Sequence, residues 1–282
     1  MHGYIDPLVE ELQQRGLDRD VRLLGPDDCA GQASGRSLWW NQTVPGTLDV
    51  LAGFSSHTYK HRDTRLLRPW LEDRLQHVRQ LDPTGPARPL LVTEFGYVGL
   101  DSGTFDNPEN AAYEYGLFMG DFAIEVLNAR ASAALVWCLF DQYYDAVHCQ
   151  RYGLWQYKDQ DWRPRPAFYS WSLVNRYTQR GSRVVGVAIA PPAEQVRGAA
   201  TLSPDGRLTV MLVNRYDRDL QVELETGLSR PALLRMYRYT PAAIAGGSAA
   251  PLPASGDVPV TPGTPAALTL PAASFLLLTE LP

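Results

Sequence analysis

The sequence predicts an α/β fold over residues 1–178, followed by an all-β antiparallel sandwich over residues 179–282. In the first region, apolar strands alternate with helical patterns, which indicates βα units and a parallel sheet. In the second region, short alternating strands are separated by Pro and Gly, which is typical of an antiparallel sandwich. The length of 282 residues is compatible with two such domains.

The first region opens with a helix and then alternates between strands and helices. Asp6 is a suitable N-cap, Pro7 suits the first helical position, and Gly16 ends the pattern. A short helix is expected within residues 37–48. Strands are predicted near residues 21–25, 50–59, 89–94 and 132–141, and further helices near residues 66–81, 107–129 and 167–177.

Four strands are too few to close a barrel. A complete (β/α)8 TIM barrel typically needs about 250 residues, more than residues 1–178 provide. The region is therefore either a small open sheet or the C-terminal half of a barrel, comprising its strands five to eight. The pattern favours the second interpretation, because the opening helix resembles one that follows a fourth strand.

The second region contains seven predicted strands. The segment 203–207, Ser-Pro-Asp-Gly-Arg, predicts a hairpin turn, since Asp-Gly favours the positive φ of such turns. Residues 240–266, rich in Pro, Ala, Gly and Ser, are predicted to form a long surface loop. The strands are expected near residues 184–189, 200–203, 208–214, 220–224, 233–239, 267–270 and 275–279.

Composition excludes several classes of function. A formal charge of −5 gives no basic footprint, so no nucleic-acid partner is expected. The sequence has no run of about 18 apolar residues, so no membrane-spanning helix is expected. Three cysteines are too few for a disulfide framework and lack metal-site spacing. Cys138 is expected to be an inert buried thiol, although a bridge to Cys149 stays open.

Polar and aromatic residues follow the predicted parallel strands, where barrel proteins place their active sites. Glu94 comes directly after Leu-Leu-Val-Thr, and burying a carboxylate there is costly unless it is hydrogen-bonded or functional. A structural carboxylate is the alternative for Glu94. The other candidates at strand ends are Asp27, Asp28, His57, Tyr59 and the segment from Trp137 to Asp141.

Several segments resemble clan A glycoside hydrolases, particularly families five and thirty-nine. Thr93-Glu94-Phe95-Gly96 is similar to their nucleophile segment on strand seven, and Ser56-His57-Thr58-Tyr59 to their strand six. Val136-Trp137 resembles strand eight. Tyr152-Gly-Leu-Trp and Arg165-Pro-Ala-Phe-Tyr-Ser-Trp resemble the end of the barrel, before the chain enters a β-sandwich.

The resemblance implies a retaining hydrolase of O-glycosidic bonds, acting on a β-linked or equivalent carbohydrate substrate. Such enzymes use two carboxyl groups about 5–5.5 Å apart, and Glu94 is expected to be the nucleophile. His57 or Tyr59 would hold Glu94 or a sugar hydroxyl, and Trp137 would form a sugar platform. Core packing is the alternative for His57 and Trp137. Further candidates for substrate binding are Asp28, Trp39, Trp40, Tyr143 and Tyr144.

The acid/base partner of Glu94 is missing from the pattern. The clan places this residue in an Asn-Glu pair after strand four, and the sequence contains no Asn-Glu dipeptide. Glu10 and Glu11 fall inside the opening helix, and Asp28 is a weak replacement acid. We therefore expect the chain to be a C-terminal part of a longer enzyme and inactive alone. Because two sheet edges and a large apolar patch would be exposed, we also expect poor solubility or assembly that depends on a partner.

A non-catalytic carbohydrate-binding or scaffolding protein with a degenerate barrel is the main alternative, and an unrelated open α/β protein with a β appendage is a third. No metal or organic cofactor is implied by any of these interpretations. The opening residues lack the charged and apolar regions of a signal peptide, and localisation stays open between an extracellular and a cytoplasmic bacterial enzyme. Oligomeric state and the identity of the sugar are not predicted.

Overall fold

The computed structural model describes residues 5–29, 34–97, 106–143, 145 and 149–282. The chain folds into two compact units that each combine separate stretches of sequence. The first unit comprises Met1–Val98 and Ala129–Trp137, and the second comprises Gly99–Asn128 and Cys138–Pro282. The sequence-based boundary at residue 178 assumes contiguous domains and stays a prediction.

The first unit is built on a parallel four-stranded sheet, as the alternation of strands and helices predicts. Its strands lie side by side in chain order, and each neighbouring pair is parallel. The strands are β1 (Leu24–Cys29), β2 (Gly53–Thr58), β3 (Leu90–Phe95) and β4 (Ala133–Val136). The helices are α1 (Ile5–Gln14), α2 (Leu38–Thr43) and α3 (Leu67–Leu81). That these strands form half of a closed barrel stays a prediction.

Helix α3 illustrates the helical periodicity of apolar residues on which the predicted elements depend. Its buried residues are Leu67, Trp70, Leu71 and Arg74, which recur at the three- and four-residue spacing of one helix face. Three apolar side chains on that face provide the hydrophobic contact. The fourth, Arg74, is a charged residue buried on the same face, which the sequence pattern did not predict.

Strand β1 lies three residues later than predicted. The segment 26–29, Pro-Asp-Asp-Cys, lies beyond the predicted strand but extends the pairing with β2 as far as His57. The strand is difficult to predict from the sequence, because it contains Pro26 and an irregular residue, Asp27, with a positive φ of 56°. Proline is tolerated there because β1 is an edge of the sheet in the described part of the chain.

Within its described residues, the second unit contains one antiparallel sheet of six strands and two antiparallel sheets of two strands. The strands are β5 (Gln142–Tyr143), β6 (Cys149–Gln150), β7 (Arg183–Val185), β8 (Val196–Leu202), β9 (Leu208–Asn214), β10 (Leu220–Leu224), β11 (Ala232–Tyr239), β12 (Gly256–Val260), β13 (Ala266–Leu270) and β14 (Ser274–Thr279). The six-stranded sheet has the order β12-β11-β14-β9-β8-β7, while β10 pairs with β13 and β5 pairs with β6. The helices are α4 (Tyr113–Asn128), α5 (Pro166–Tyr177) and α6 (Pro241–Ile244).

The predicted surface loop over residues 240–266 is wrong in part. Helix α6 and strand β12 lie within it, and β12 pairs with β11. Val258 and Val260 alternate with exposed residues and join the core, so the strand has ordinary period-two burial. Pro259 fits because β12 is an edge strand, where a missing amide donor does not interrupt a ladder.

Helix α4 is buried around most of its circumference, with Tyr115 to Val126 all buried. It packs on α5 and on strands β8, β9 and β14. Gly116 allows this approach, because a Cβ there would meet the Tyr239 ring at 2.5 Å and the Pro166 carbonyl oxygen at 2.7 Å. Among the described residues, no helix combines the length and apolar character required to cross a bilayer.

Candidate active site

The carboxyl ends of β1, β2 and β3 bring the predicted site residues side by side. Cys29 lies opposite His57 in the register, and His57 lies opposite Glu94. Because the strands are parallel, the segments that follow them leave from the same edge of the sheet. Residues far apart in the sequence therefore form one cluster in the first unit.

Tyr59 holds the side chain of Glu94 at the carboxyl ends of β2 and β3. The Tyr59 hydroxyl donates a hydrogen bond to Oε2 of Glu94 at 3.0 Å. Tyr59 follows β2 directly, and Glu94 is half-buried in β3. A hydrogen bond to a carboxylate is stronger than one between neutral groups. Oε2 is thus fixed, while Oε1 of Glu94 has no hydrogen bond to another described residue.

An irregularity in β3 changes the direction of Glu94. Ser56 pairs with Val92, but the next residue, His57, pairs with Glu94, so Thr93 is an extra residue on β3. Such bulges re-aim side chains and are frequent next to active sites. The bulge gives Glu94 a partner on β2 that regular alternation would have given to Thr93.

A second group of contacts surrounds Asp27, the extra residue in β1, where Pro26 pairs with Ser55 and Asp28 pairs with Ser56. The Thr93 hydroxyl donates a hydrogen bond to Oδ1 of Asp27. His57 Nδ1 lies 3.5 Å from the same oxygen. The cluster therefore joins β1, β2 and β3 through side chains as well as through the sheet.

The cluster is acidic. Burial, followed by the charges of Asp28 and Glu94, raises the pKa of the Cys29 thiol. The nearby Lys60 opposes this effect without cancelling it. Within the described residues, no group of three or more His, Cys, Asp or Glu side chains is arranged to hold a metal ion.

Two tryptophans of the first unit flank the cluster in the structure. Trp137 follows β4, and its amide donates a hydrogen bond to the Phe95 carbonyl oxygen at 3.2 Å, next to Glu94 in the chain. Its side chain is half-buried. Trp39 is 56% exposed, and its indole N–H lies 3.3 Å from the carbonyl oxygen of Pro26, next to Asp27. Both rings present surface to solvent.

Asp28 and Trp40 lie in a buried cluster instead. Asp28 accepts hydrogen bonds from Arg74 at 2.9 Å and from the Ser37 hydroxyl, and both charged side chains are 1% exposed. Trp40 is fully buried and donates to His77 Nδ1 at 3.0 Å. Burial lowers the pKa of His77, which favours the neutral, accepting imidazole. We therefore leave Asp28 and Trp40 out of the proposed site.

Tyr143 belongs to the second unit and is exposed there. Its hydroxyl donates to Oδ2 of Asp159 at 3.0 Å, and this hydrogen bond raises the pKa of Tyr143 to about 12. Its ring packs on Tyr157 with 4.9 Å between ring centroids. Tyr144 lies outside the described residues.

Glu94, His57, Tyr59 and Trp137 were predicted from the sequence as site residues. Of the two aspartates that follow the first strand, Asp28 was proposed for substrate binding and Asp27 was not. The two aspartates are adjacent, and regular alternation cannot show which one the bulge turns towards His57. Thr93 was noted only as part of the nucleophile segment. A left-handed φ at Asp27 is compatible with aspartate, which adopts this conformation more readily than most residues.

Several solved structures that share this fold are glycoside hydrolases. A GH51 arabinofuranosidase from Xanthomonas axonopodis pv. citri superposes with a TM-score of 0.67 at 16% identity, covering 97% of this chain and 63% of that chain. A GH30 endoxylanase from Clostridium papyrosolvens gives 0.64 at 13% identity, with 93% and 57% covered. A GH30 xylanase C from Talaromyces cellulolyticus gives 0.62 at 17% identity, with 99% and 56% covered.

Neither a family model nor a curated protein sequence matches the chain. At these identities, the structural likeness establishes the fold alone. The chain spans little more than half the length of the solved structures it matches. The three structures belong to families 30 and 51, and the finer resemblance to families five and thirty-nine stays a prediction. The chain thus shares the fold of a large part of several glycoside hydrolases.

Proposed function

We propose that this chain carries the nucleophile side of the active site of a retaining glycoside hydrolase, with Glu94 as the nucleophile. The hydrogen bond from Tyr59 to Glu94 at 3.0 Å, at the carboxyl end of a parallel strand, is the observation on which the proposal rests. The fold shared with xylanases and an arabinofuranosidase supports it.

In the proposed reaction, a carboxylate oxygen of Glu94 attacks the anomeric carbon of the sugar. The bond to the leaving oxygen breaks as a separate acid protonates that oxygen, and a covalent glycosyl-enzyme forms. Water, activated by the same separate group, then attacks the anomeric carbon and releases Glu94. Because Tyr59 engages Oε2, Oε1 is the oxygen available for attack.

The neighbouring side chains are proposed to bind the sugar. His57 is adjacent to Glu94 in the register and offers an imidazole nitrogen to a hydroxyl group. The partly exposed rings of Trp137 and Trp39 offer apolar faces on which a sugar ring can stack. Tyr143 is a further candidate for substrate contact from the second unit.

The acid/base carboxyl group is proposed to come from a segment outside this sequence. Glu10 and Glu11 lie in helix α1, and Asp28 is paired with buried Arg74. The solved structures that share the fold are longer than this chain. The chain alone is then expected to hydrolyse natural glycosides poorly, because their leaving groups need protonation.

A 2-deoxy-2-fluoro glycoside with a dinitrophenolate leaving group tests the assignment of Glu94. Such a leaving group departs without protonation, so formation of the glycosyl-enzyme does not require the missing acid. Xylosyl and arabinofuranosyl versions are the first choices, because the similar structures include xylanases and an arabinofuranosidase. Mass spectrometry of peptides should find the fluoro-sugar on Glu94.

Glu10→Gln is the matched control for Glu94→Gln, because Glu10 lies exposed on α1. The proposal expects labelling of Glu10→Gln at the rate of the parent chain and no labelling of Glu94→Gln. A label on another carboxyl group would contradict the assignment. Sugar binding without any label would favour the non-catalytic carbohydrate-binding alternative.

A further inference from the structure

We propose that Asp27 is a positioning residue for His57. Its carboxylate holds the imidazole as the Nδ1–H tautomer and leaves Nε2 as the acceptor for a sugar hydroxyl. The inference rests on the proposed function only for the identity of that ligand. The Asp27–His57 arrangement itself is a property of the first unit.

The backbone of Asp27 is held in an unusual conformation. Its φ of 56° lies in the left-handed region, and it is the extra residue of the bulge in β1. Its amide donates a hydrogen bond to the Ser55 hydroxyl at 3.1 Å. Strained backbone that persists in a fold is often associated with function. Here it directs an aspartate towards the neighbouring strands.

The carboxylate of Asp27 contacts both of those strands. On β3, the Thr93 hydroxyl donates to Oδ1 and fixes the position of this oxygen. On β2, His57 Nδ1 lies 3.5 Å from the same Oδ1. Thr93 is available for this contact because it is the extra residue of the bulge in β3. The bulge in β1 therefore positions the carboxylate of Asp27, and the bulge in β3 positions the Thr93 hydroxyl that binds it.

The buried Nδ1 atom of His57 lacks a hydrogen-bond partner that Asp27 can supply. This nitrogen has no hydrogen bond within the described part of the chain, and Oδ1 of Asp27 lies close to it. A hydrogen bond between nitrogen and oxygen forms at up to about 3.2 Å, so an adjustment of about 0.3 Å suffices. Leaving the nitrogen unpaired is unfavourable, and therefore the contact should close in solution.

The direction of this hydrogen bond decides the chemistry of His57. A carboxylate only accepts, so Nδ1 must carry the proton. In the neutral ring, Nε2 then has no proton and can only accept. A sugar hydroxyl that donates to Nε2 keeps its own oxygen free as an acceptor. Without Asp27, the proton could occupy either nitrogen, and His57 would bind hydroxyl groups less selectively.

Nitrogen-15 NMR of the histidine side chains of the full chain tests the proposal. The neutral imidazole of His57 is expected as the Nδ1–H tautomer, with His57→Gln identifying its signals. Asp27→Gly removes the carboxylate while suiting the left-handed φ, so it should shift His57 towards the Nε2–H tautomer. Asp49→Asn, an exposed aspartate of the same unit, is the control and should cause no change.

An Nε2–H tautomer in the parent chain overturns the proposal, and so does a tautomer that Asp27→Gly leaves unchanged. The spectrum of the parent chain is decisive even where the variant does not fold. Labelling of Glu94 is measured separately. An Nδ1–H tautomer in a chain whose Glu94 is not labelled supports the Asp27 contact and overturns only the catalytic assignment.

Discussion

At the scale of single residues, the important contact is the one between Tyr59 and Glu94. A nucleophilic carboxylate must present one oxygen to the anomeric carbon, and free rotation of the side chain would reduce the fraction of time in the productive geometry. The Tyr59 hydroxyl at 3.0 Å restricts this rotation. Its effect on the reaction can be separated from packing because only one oxygen atom needs to be removed.

Tyr59→Phe removes the hydroxyl and keeps the ring. Hydrogen bonds to charged groups contribute roughly 1.5–3 kcal/mol, which corresponds to a decrease of about 10- to 100-fold in the rate of glycosyl-enzyme formation. The rate is measured as release of dinitrophenolate from the fluoro-sugar. Tyr157→Phe, which removes a hydroxyl in the second unit, should leave it unchanged. An unchanged rate in Tyr59→Phe would mean that this contact does not position the nucleophile.

Asp106 gives the second unit a pH-dependent contact. Nε of Arg151 donates to Oδ1 of Asp106 at 2.7 Å, and the hydrogen bonds from Arg151 lower the pKa of this carboxyl. A lowered pKa in the folded state means that the ionised form stabilises the fold. This contribution is present above the unfolded pKa of about 3.9 and is lost as the pH falls through the folded value.

Asp106→Asn should therefore lower the urea midpoint at pH 7, and the difference from the parent chain should fade below about pH 4. We expect less than about 1 kcal/mol, because both side chains are partly exposed. Asp217→Asn, an exposed aspartate, is the control. A difference that stays constant from pH 7 to pH 2 would assign the effect to packing rather than to the ionised carboxyl.

At the scale of elements, the sequence predicted those strands and helices whose periodicity is regular. The predicted helix over residues 66–81 and the strand over residues 89–94 each lie within one residue of α3 and β3. Strand β1 was misplaced because a proline and a left-handed aspartate interrupt its pattern. Strand β12 was missed because Pro, Ala and Gly dominate its neighbourhood, although Val258 and Val260 alternate correctly.

The same limit explains which site residues could be predicted. A position after an apolar strand indicated Glu94 as a candidate, because that rule needs only the strand and its direction. The choice between Asp27 and Asp28 needs the bulge, since an extra residue reverses which side chains face each side of the sheet. Bulges depend on pairing with a distant strand, and a single sequence carries little information on such pairing.

Helix α4 depends on a close approach that Gly116 makes possible. A Cβ at this position would overlap the Tyr239 ring and lie 2.7 Å from a backbone oxygen of Pro166. Gly116→Ala gains about 1 kcal/mol in helix propensity, but overpacking in a core costs typically 1–3 kcal/mol. Because a backbone atom is involved, we expect the loss to dominate and the urea midpoint to decrease.

Gly246→Ala is the matched control, since no atom lies within 4 Å of the added Cβ. It should leave the midpoint unchanged or slightly raise it. A Gly116→Ala variant as stable as the parent chain would show that α4 can move away from α5 and the Tyr239 ring without loss.

At the scale of the whole molecule, we expect the edge strands of the parallel sheet to determine how the chain behaves in solution. Strands β1 and β4 are its two edges within the described residues, and each presents an exposed leucine, Leu24 (47%) and Leu135 (50%). An edge with free backbone groups and apolar side chains is a template for association with another chain. The proposed longer enzyme would cover these edges, and isolated copies of this chain would pair with one another.

We therefore expect the chain to form oligomers or aggregates at micromolar concentration, as measured by size-exclusion chromatography with light scattering. Combining Leu24→Lys with Leu135→Lys should increase the monomer fraction, because charged side chains at edge strands oppose pairing. Leu233→Lys is the control, since Leu233 is at least as exposed (58%) but lies on β11, between two other strands. It should change the monomer fraction little. A parent chain that is monomeric and melts cooperatively would contradict this expectation, and with it the proposal that a further segment is needed to cover the sheet.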